Sequence, residues 1–222
     1  MMTSVEADLL DRDTYTVRDA ARFLHVPVQT LRRWLEGYAF RGTNYPPVIR
    51  PEPTADDLVT WGEFVEAAYL REYRALSVPL QRIRPVVDRL RERYGRYPLA
   101  NERPWVMDRE LVKQVQDEVD DAPELVVLRS GQLVLARPVA NFVHKVEFEN
   151  MLARRYRPLG REEPVVVDPD LSFGAPTVRG IRTETITELV RAGEPFDSLT
   201  EGYDLSPDEV LAALRFELPE AA

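Results

Sequence analysis

Residues Tyr15–Leu35 read YTVRDAARFLHVPVQTLRRWL, and the first part of the chain is built outward from them. Thr16 and Asp19 have the spacing of a helix N-cap. Val17, Ala20, Ala21 and Leu24 follow at intervals that place them on one helical face. His25-Val26-Pro27 has the composition of a tight turn. The pattern then predicts a second helix from about Val28 to Glu36, with Val28, Leu31 and Leu35 inward and Trp34 partly packed. Gln29, Thr30, Arg32 and Arg33 are left facing solvent. Two short helices joined by a three-residue turn form a helix-turn-helix. The outward residues carry the chemistry of DNA reading: Gln for adenine edges, Arg for guanine or phosphate, Thr for phosphate or the thymine methyl.

This stretch resembles the N-terminal helix-turn-helix of MerR-like and excisionase-like proteins. The residues that carry the resemblance are Ala20/Ala21, Val26 and Thr30-Leu31-Arg32, over roughly residues 14 to 53. Pro27 departs from the pattern, standing where the family usually places a Ser N-cap. A weaker likeness continues through SVPLQRIRPVVDRL, the family's helix after the wing. The resemblance implies binding to operator DNA, with Arg18, Gln29, Thr30, Arg32 and Arg33 as contacts. Downstream, GYAFRGTNYPPVIRP suggests a wing. Ala39-Phe40-Arg41 is expected to pair with Val48-Ile49-Arg50 around Gly42-Thr43-Asn44, with Arg41 and Tyr45 facing phosphate. Pro46, Pro47, Pro51 and Pro53 mark a subdomain edge.

The middle of the chain reads as helices followed by short strands. Thr60-Trp61-Gly62-Glu63 has capping-box spacing for a helix reaching about Leu76. Ser77-Val78-Pro79 opens another, with Leu80, Ile83, Val87 and Leu90 inward, an end near Gly95 and a kink or a distorted start expected at Pro85. Arginines 71, 74, 82, 84, 89, 91 and 93 are expected on a solvated face, the sharper alternative being phosphate contact beside the wing. A short helix is expected at Asp108–Glu118. A hairpin is expected over residues 124–136 with Ser130-Gly131 as its turn. A helical turn at Val139–His144 and strands at Met151–Leu159 and Val165–Asp168 complete this region.

The last quarter centres on Phe173-Gly174-Ala175-Pro176-Thr177-Val178-Arg179-Gly180-Ile181-Arg182, followed by three short helices. Thr183 or Thr185 is the expected N-cap of the first, and Thr185 with Glu188 has capping-box spacing. Ile186, Leu189 and Val190 form its apolar face, and Gly193 ends it. The second starts near Pro195. The third opens Ser206-Pro207-Asp208-Glu209, an N-cap, a proline at N1 and a capping-box Glu, with Val210, Leu211 and Leu214 as the buried stripe. The G-x-P-x-x-x-G-x-R run with its three-helix tail resembles a small prokaryotic domain of formerly unknown function found in VapB-type antitoxins, over roughly Val165 to Glu217. Gly180-Ile181-Arg182 and Glu184 depart from it, since members usually read Gly-Thr-Arg and carry proline at the latter place. The resemblance implies that Gly174, Pro176, Arg179, Gly180 and Arg182 shape or line a toxin-binding surface. The toxin it implies is a PIN-domain ribonuclease, whose metal-holding carboxylates an arginine could engage. Within this chain, Arg179 and Arg182 have Asp168, Asp170 and Glu184 as alternative partners.

Charge is unevenly spread over this 222-residue chain of formal net charge −9. Between Tyr15 and Arg50 there are six arginines against Asp19 and Glu36, whereas from Glu162 onward there are four against fourteen carboxylates. A basic head and an acidic tail suggest two different partners. There is no cysteine, which excludes disulfides, thiolate metal sites and a Cys nucleophile. His25 and His144 lie far apart, and no phosphate-binding loop or hydrolase signature is present. Asp168-Pro169-Asp170 is read as a solvated turn rather than a hard-metal site. No run is apolar enough to span a membrane, and the acidic N-terminus is unlike a signal peptide, so a cytoplasmic protein without cofactor or catalytic site is expected.

The reading is therefore an α+β chain of three parts: a winged helix-turn-helix at 1–55, a helical and β-hairpin region at 56–160, and an acidic three-helix domain at 161–222. Its expected role is a homodimeric antitoxin that represses its own operon and neutralises a VapC-type ribonuclease. The alternative is a MerR-like effector-sensing regulator, with the middle region as the ligand pocket.

Overall fold

The computed structural model describes residues 9–75, 79–101, 126–129, 132–135 and 144–218. The expected helix at Asp108–Glu118, the Ser130-Gly131 turn and residues 139–143 lie outside these. The chain divides into two units, one of residues 1–143 with 148–153, the other of residues 144–147 with 154–222. Helices and two-stranded antiparallel sheets alternate in an α+β arrangement.

The first unit opens with β1 (Asp13–Thr16), a strand the sequence pattern did not suggest. β1 pairs antiparallel with β4 (Leu58–Thr60) through a bulge between Asp13 and Tyr15. The partner strand lies more than forty residues away, so local pattern could not reveal it. Between them come α1 (Val17–Phe23), α2 (Val28–Glu36), β2 (Tyr38–Phe40) and β3 (Thr43–Tyr45). Thr16 caps α1 as expected, its hydroxyl accepting from the Asp19 amide at 3.1 Å.

Next is α3 (Trp61–Ala75), opened by the expected reciprocal cap. The Glu63 amide donates to Thr60 Oγ1 (3.2 Å) and the Thr60 amide to Glu63 Oε2 (3.1 Å). α3 is buried on nearly every side and forms the centre of the unit. Tyr15 contacts Phe64 at 4.6 Å and Phe23 at 5.7 Å between ring centroids, and Trp61 stacks on Phe64 at 5.5 Å. Gly62 is required here because a Cβ would lie 2.7 Å from the Tyr97 ring. α4 (Leu80–Tyr94) runs through Pro85 as one helix and ends at Gly95 with φ 91°. Two of its described arginines are engaged by backbone carbonyls. Arg84 donates to the Pro46 carbonyl (2.9 Å), and Arg91 to the carbonyls of Val48 and Ile49 (2.8 Å each). β5 (Val126–Arg129) and β6 (Gln132–Leu135) pair in the expected register.

β7 (Val146–Glu149) and β8 (Leu152–Tyr156) form a hairpin turning at Asn150-Met151, both at positive φ. The expected strand at 151–159 is thus shorter and paired with an unforeseen neighbour. In the second unit Val167 bridges Tyr156 and Val166 bridges Thr177, so the segment expected as a strand joins two others by single bridges. β9 (Thr177–Val178) and β10 (Ile181–Arg182) lead into α5 (Thr183–Arg191), α6 (Phe196–Tyr203) and α7 (Pro207–Glu217). Val165, Val178, Ile186, Leu199, Leu205, Val210, Ala212, Ala213 and Phe216 form their common core. The Ser206–Glu209 capping box opens α7 as expected, but its buried stripe is Val210, Ala212, Ala213 and Phe216, while Leu211 is exposed. α5 also starts differently: Arg182 is its N-cap, and Thr183 is buried with its hydroxyl donating to Glu217.

Candidate nucleic-acid interface and motif turn

α1 and α2 are joined by His25-Val26-Pro27, with His25 at φ 51° and the Val26 amide donating to the Ala21 carbonyl at 3.0 Å. Leu31, Trp34 and Leu35 are buried, so the opposite face of α2 is fixed outward. Gln29, Arg32 and Arg33 are exposed and Thr30 is half-buried, as the spacing predicted. Val28, expected inward, is 39% exposed, at the first position of a helix whose opening residues Pro27, Val28 and Gln29 all lie at the surface. Arg18 is exposed on α1.

Arg32 is engaged by a residue the sequence did not flag. Its guanidinium pairs with the Asp57 carboxylate, both side chains about half exposed. Such exposed pairs contribute roughly 0–1 kcal/mol, so phosphate or a base edge can displace the carboxylate. Arg33 lies over the Tyr38 ring at 5.5 Å, and Tyr38 stacks on Tyr45 at 4.7 Å. Thr30, Arg33, Trp34, Tyr38, Phe40, Arg74, Pro79, Leu80 and Gln81 line a cavity of about 430 Å³ beside α2.

The hairpin after α2 has a different register from the expected one. β2 pairs with β3, with Tyr38 opposite Tyr45 and Phe40 opposite Thr43. The turn is Arg41-Gly42, both at positive φ (49° and 78°), as a two-residue type I′ connection requires. Arg41 therefore sits at the apex, over the Phe40 ring at 5.2 Å, and Phe40 is 56% exposed. Val48-Ile49-Arg50 is not the return strand. The amides of Val48 and Ile49 both donate to the Trp34 carbonyl at the end of α2.

Arg50 belongs to the core, although the sequence counted it in the basic head. Its guanidinium is 3% exposed and donates to Glu63 (2.9 and 3.1 Å), to the Leu58 carbonyl (2.6 Å) and to Glu36. Burial alone would lower its pKa, but Glu63, Glu36 and Asp56 outweigh that and raise it. The ion cluster ties the end of α2 to the start of α3 and so fixes how α2 is presented. A second buried acid, Glu66, accepts from the Leu99 amide at 3.1 Å through one oxygen. Its other oxygen has no partner among the described residues. Burial pushes its carboxyl up to about 8.

In the second unit the predicted motif residues converge on one clamp. Arg179-Gly180 is again a two-residue turn with both φ positive (50° and 83°). Gly174 is buried at φ 75°, and its amide donates to the Leu171 carbonyl at 2.8 Å. The Pro176 carbonyl accepts from the amide (3.0 Å) and hydroxyl (3.3 Å) of Thr183. Arg179 pairs with Asp204 at 3.0 Å, and Arg182 donates to the Ser172 carbonyl at 3.3 Å. Asp168 and Asp170, weighed as partners for these arginines, are instead held by Arg154 and Arg155, with Arg155–Asp168 at 2.7 Å. Burial pushes the Glu147 carboxyl up, but Arg157 and Arg155 outweigh this and hold it below its ordinary value.

Comparison with known proteins matches two family descriptions, a "Putative DNA-binding HTH domain" at residues 13–87 and a "Protein of unknown function (DUF433)" at residues 165–216. Two proteins of Mycobacterium tuberculosis are similar over nearly their whole lengths. The "Uncharacterized protein Rv2308" is 34% identical over 94% of this chain and 91% of its own. The "Putative antitoxin VapB45" is 30% identical over 92% of this chain and 93% of its own. The chain belongs to their family. The crystal structure of Rv2018 from the same organism is also similar, with a TM-score of 0.76 at 29% identity, covering 92% of this chain and 99% of that one. The helix-turn-helix match runs from β1 through α1, α2, β2, β3, β4 and α3 to about half of α4, and so includes the Arg50 cluster. The second match contains the motif clamp and nearly all of the three-helix core.

Proposed function

We propose that this chain is an antitoxin that binds operator DNA, represses its own operon and neutralises a PIN-domain ribonuclease. The observation that carries the proposal is the α2 surface. A helix-turn-helix family match coincides with a helix whose buried face is fixed by Leu31, Trp34 and Leu35 and whose outer face offers Gln29, Thr30, Arg32 and Arg33. The name of the relative VapB45 supports the antitoxin part. α2 would enter the major groove, while Arg18, the Arg41 apex and Tyr45 would act on flanking phosphates as a wing of MerR-like type. One such motif buries little surface, so two copies on a symmetric operator are proposed.

The neutralising part is assigned to Gly174, Pro176, Arg179, Gly180 and Arg182. The glycines and proline would hold the turn, and the arginines would pair with toxin carboxylates, for which a planar guanidinium is suited. Two measurements separate the halves. Replacing Arg32 and Arg33 with Ala should abolish operator binding in a gel-shift titration and leave ribonuclease inhibition intact. Replacing Arg179 and Arg182 with Ala should weaken inhibition and spare DNA binding. Unchanged curves in either case move that function elsewhere. The cavity beside α2 favours a second reading, an effector-sensing regulator. That reading requires a small ligand whose binding changes operator affinity.

A further inference from the structure

Phe173 is the most exposed large apolar side chain among the described residues, at 86%, with Phe40 next at 56%. Its backbone sits in the left-handed region (φ 58°, ψ 37°), between Ser172 at φ 48° and Gly174 at φ 75°. That region is unfavourable for a bulky residue and persists only where the surrounding structure imposes it, often at a functional site. Here the ring stands in solvent, so the fold gains nothing from it. The turn that carries it is nevertheless tied down. The Gly174 amide donates to Leu171 (2.8 Å) and the Ala175 amide to Ser172 (3.2 Å). The Ser172 hydroxyl donates to the Gly180 carbonyl (3.3 Å), and Arg182 to the Ser172 carbonyl (3.3 Å). These bonds, two of them to the Arg179-Gly180 hairpin, hold the backbone that carries the ring. An aromatic with only two rotatable bonds on a tied backbone loses little entropy on contact, which is the character of an interface anchor.

We propose that Phe173 is the anchor of a protein-binding surface. Its ring enters an apolar pocket of a protein partner, and carboxylates on the rim of that pocket pair with Arg179 and Arg182. Leu171, 43% exposed, extends the apolar contact. The Arg179–Asp204 pair is exposed on both sides (52% and 90%) and can be exchanged for a partner's carboxylate. Arg179 and Arg182 give the patch itself a local positive charge that complements a few carboxylates, while the fourteen carboxylates against four arginines from Glu162 onward disfavour extended polyanions such as phosphate backbones and anionic lipid. This inference rests on the antitoxin reading, in which the partner is the toxin.

The test uses the full chain and the purified product of the adjacent reading frame in isothermal titration. Phe173→Ala should weaken binding by roughly thirtyfold or more, while Phe173→Trp stays within about threefold, as for a buried aromatic hot spot. Phe40→Ala, the other exposed phenylalanine, should leave this affinity unchanged. Wild-type affinity in Phe173→Ala overturns the anchor and leaves the antitoxin reading standing. Failure of the wild-type chain to bind overturns the antitoxin reading, and the anchor falls with it. Light scattering in which Phe173→Ala converts a dimer to a monomer assigns the ring to self-association and overturns the proposal.

Discussion

Three single residues carry distinct expectations. Asp57 restrains Arg32, so Asp57→Asn should raise operator affinity by roughly three- to tenfold, since it removes a negative charge and releases a cation. A filter-binding titration at fixed salt checks this, and weaker binding would show that Asp57 positions Arg32 rather than competes for it. Glu66 has its folded pKa raised to about 8 from an ordinary 4.5. The folded chain therefore keeps a proton that the unfolded chain releases. Stability contributed by this site falls as pH rises from about 4.5 to about 8 and is level above that. Denaturant melts at pH 5 and pH 9 should show a smaller difference for Glu66→Gln than for the wild type. Phe173→Gly relieves a left-handed phenylalanine, so it should raise stability by about 1 kcal/mol even as partner binding is lost. None of these roles was legible in the sequence. Asp57 and Glu66 look like ordinary surface acids until tertiary packing sets one beside Arg32 and buries the other completely.

Elements that speak through local chemistry were legible. The Thr16, Thr60/Glu63 and Ser206/Glu209 caps all formed where their spacing placed them. Ser206→Ala should cost about 1 kcal/mol, read as a lower melting temperature. α2 and its outward face also followed from periodicity. What failed was pairing at a distance. The β1–β4 ladder, the bridging role of residues 166 and 167 and the true wing register depend on where other segments come to lie. The wing misled because Val48-Ile49 looks like a strand, whereas Arg91 and Trp34 claim its backbone groups. Pro85 lies inside α4, whose Ile83, Val86, Val87 and Leu90 are buried as the periodicity placed most of them. Gly62→Ala tests how tightly α3 is held. Its methyl would collide with the Tyr97 ring, and a loss of roughly 1–3 kcal/mol is expected in denaturant unfolding.

At the scale of the whole chain, the uneven charge read from the sequence survives in altered form. Arg50 leaves the basic head for the core, and Arg84 and Arg91 serve backbone carbonyls, so the cations left for DNA are fewer and more local. Operator affinity should still fall steeply with salt, and Arg33→Ala should reduce the slope of log affinity against log salt by about 1 if that side chain meets a phosphate. An unchanged slope would place Arg33 on a base edge or inside the cavity. The motif of the second unit was legible as a turn, since glycines and proline announce backbone geometry. Its exposed phenylalanine was not, because nothing in sequence distinguishes a solvent-facing ring from a core one.

The same dipeptide, Arg-Gly, makes the apex of two hairpins, at 41–42 and at 179–180, with arginine in the left-handed region each time. Asparagine is more at ease there than arginine and is the preferred neighbour of glycine in such turns. Arg41→Asn and Arg179→Asn thus erase a charge while suiting the loop better. A variant that grows more heat-resistant as it loses its partner cannot be dismissed as damaged. The chain in this way supplies its own clean control, one apex for the proposed nucleic-acid contact and one for the proposed protein contact.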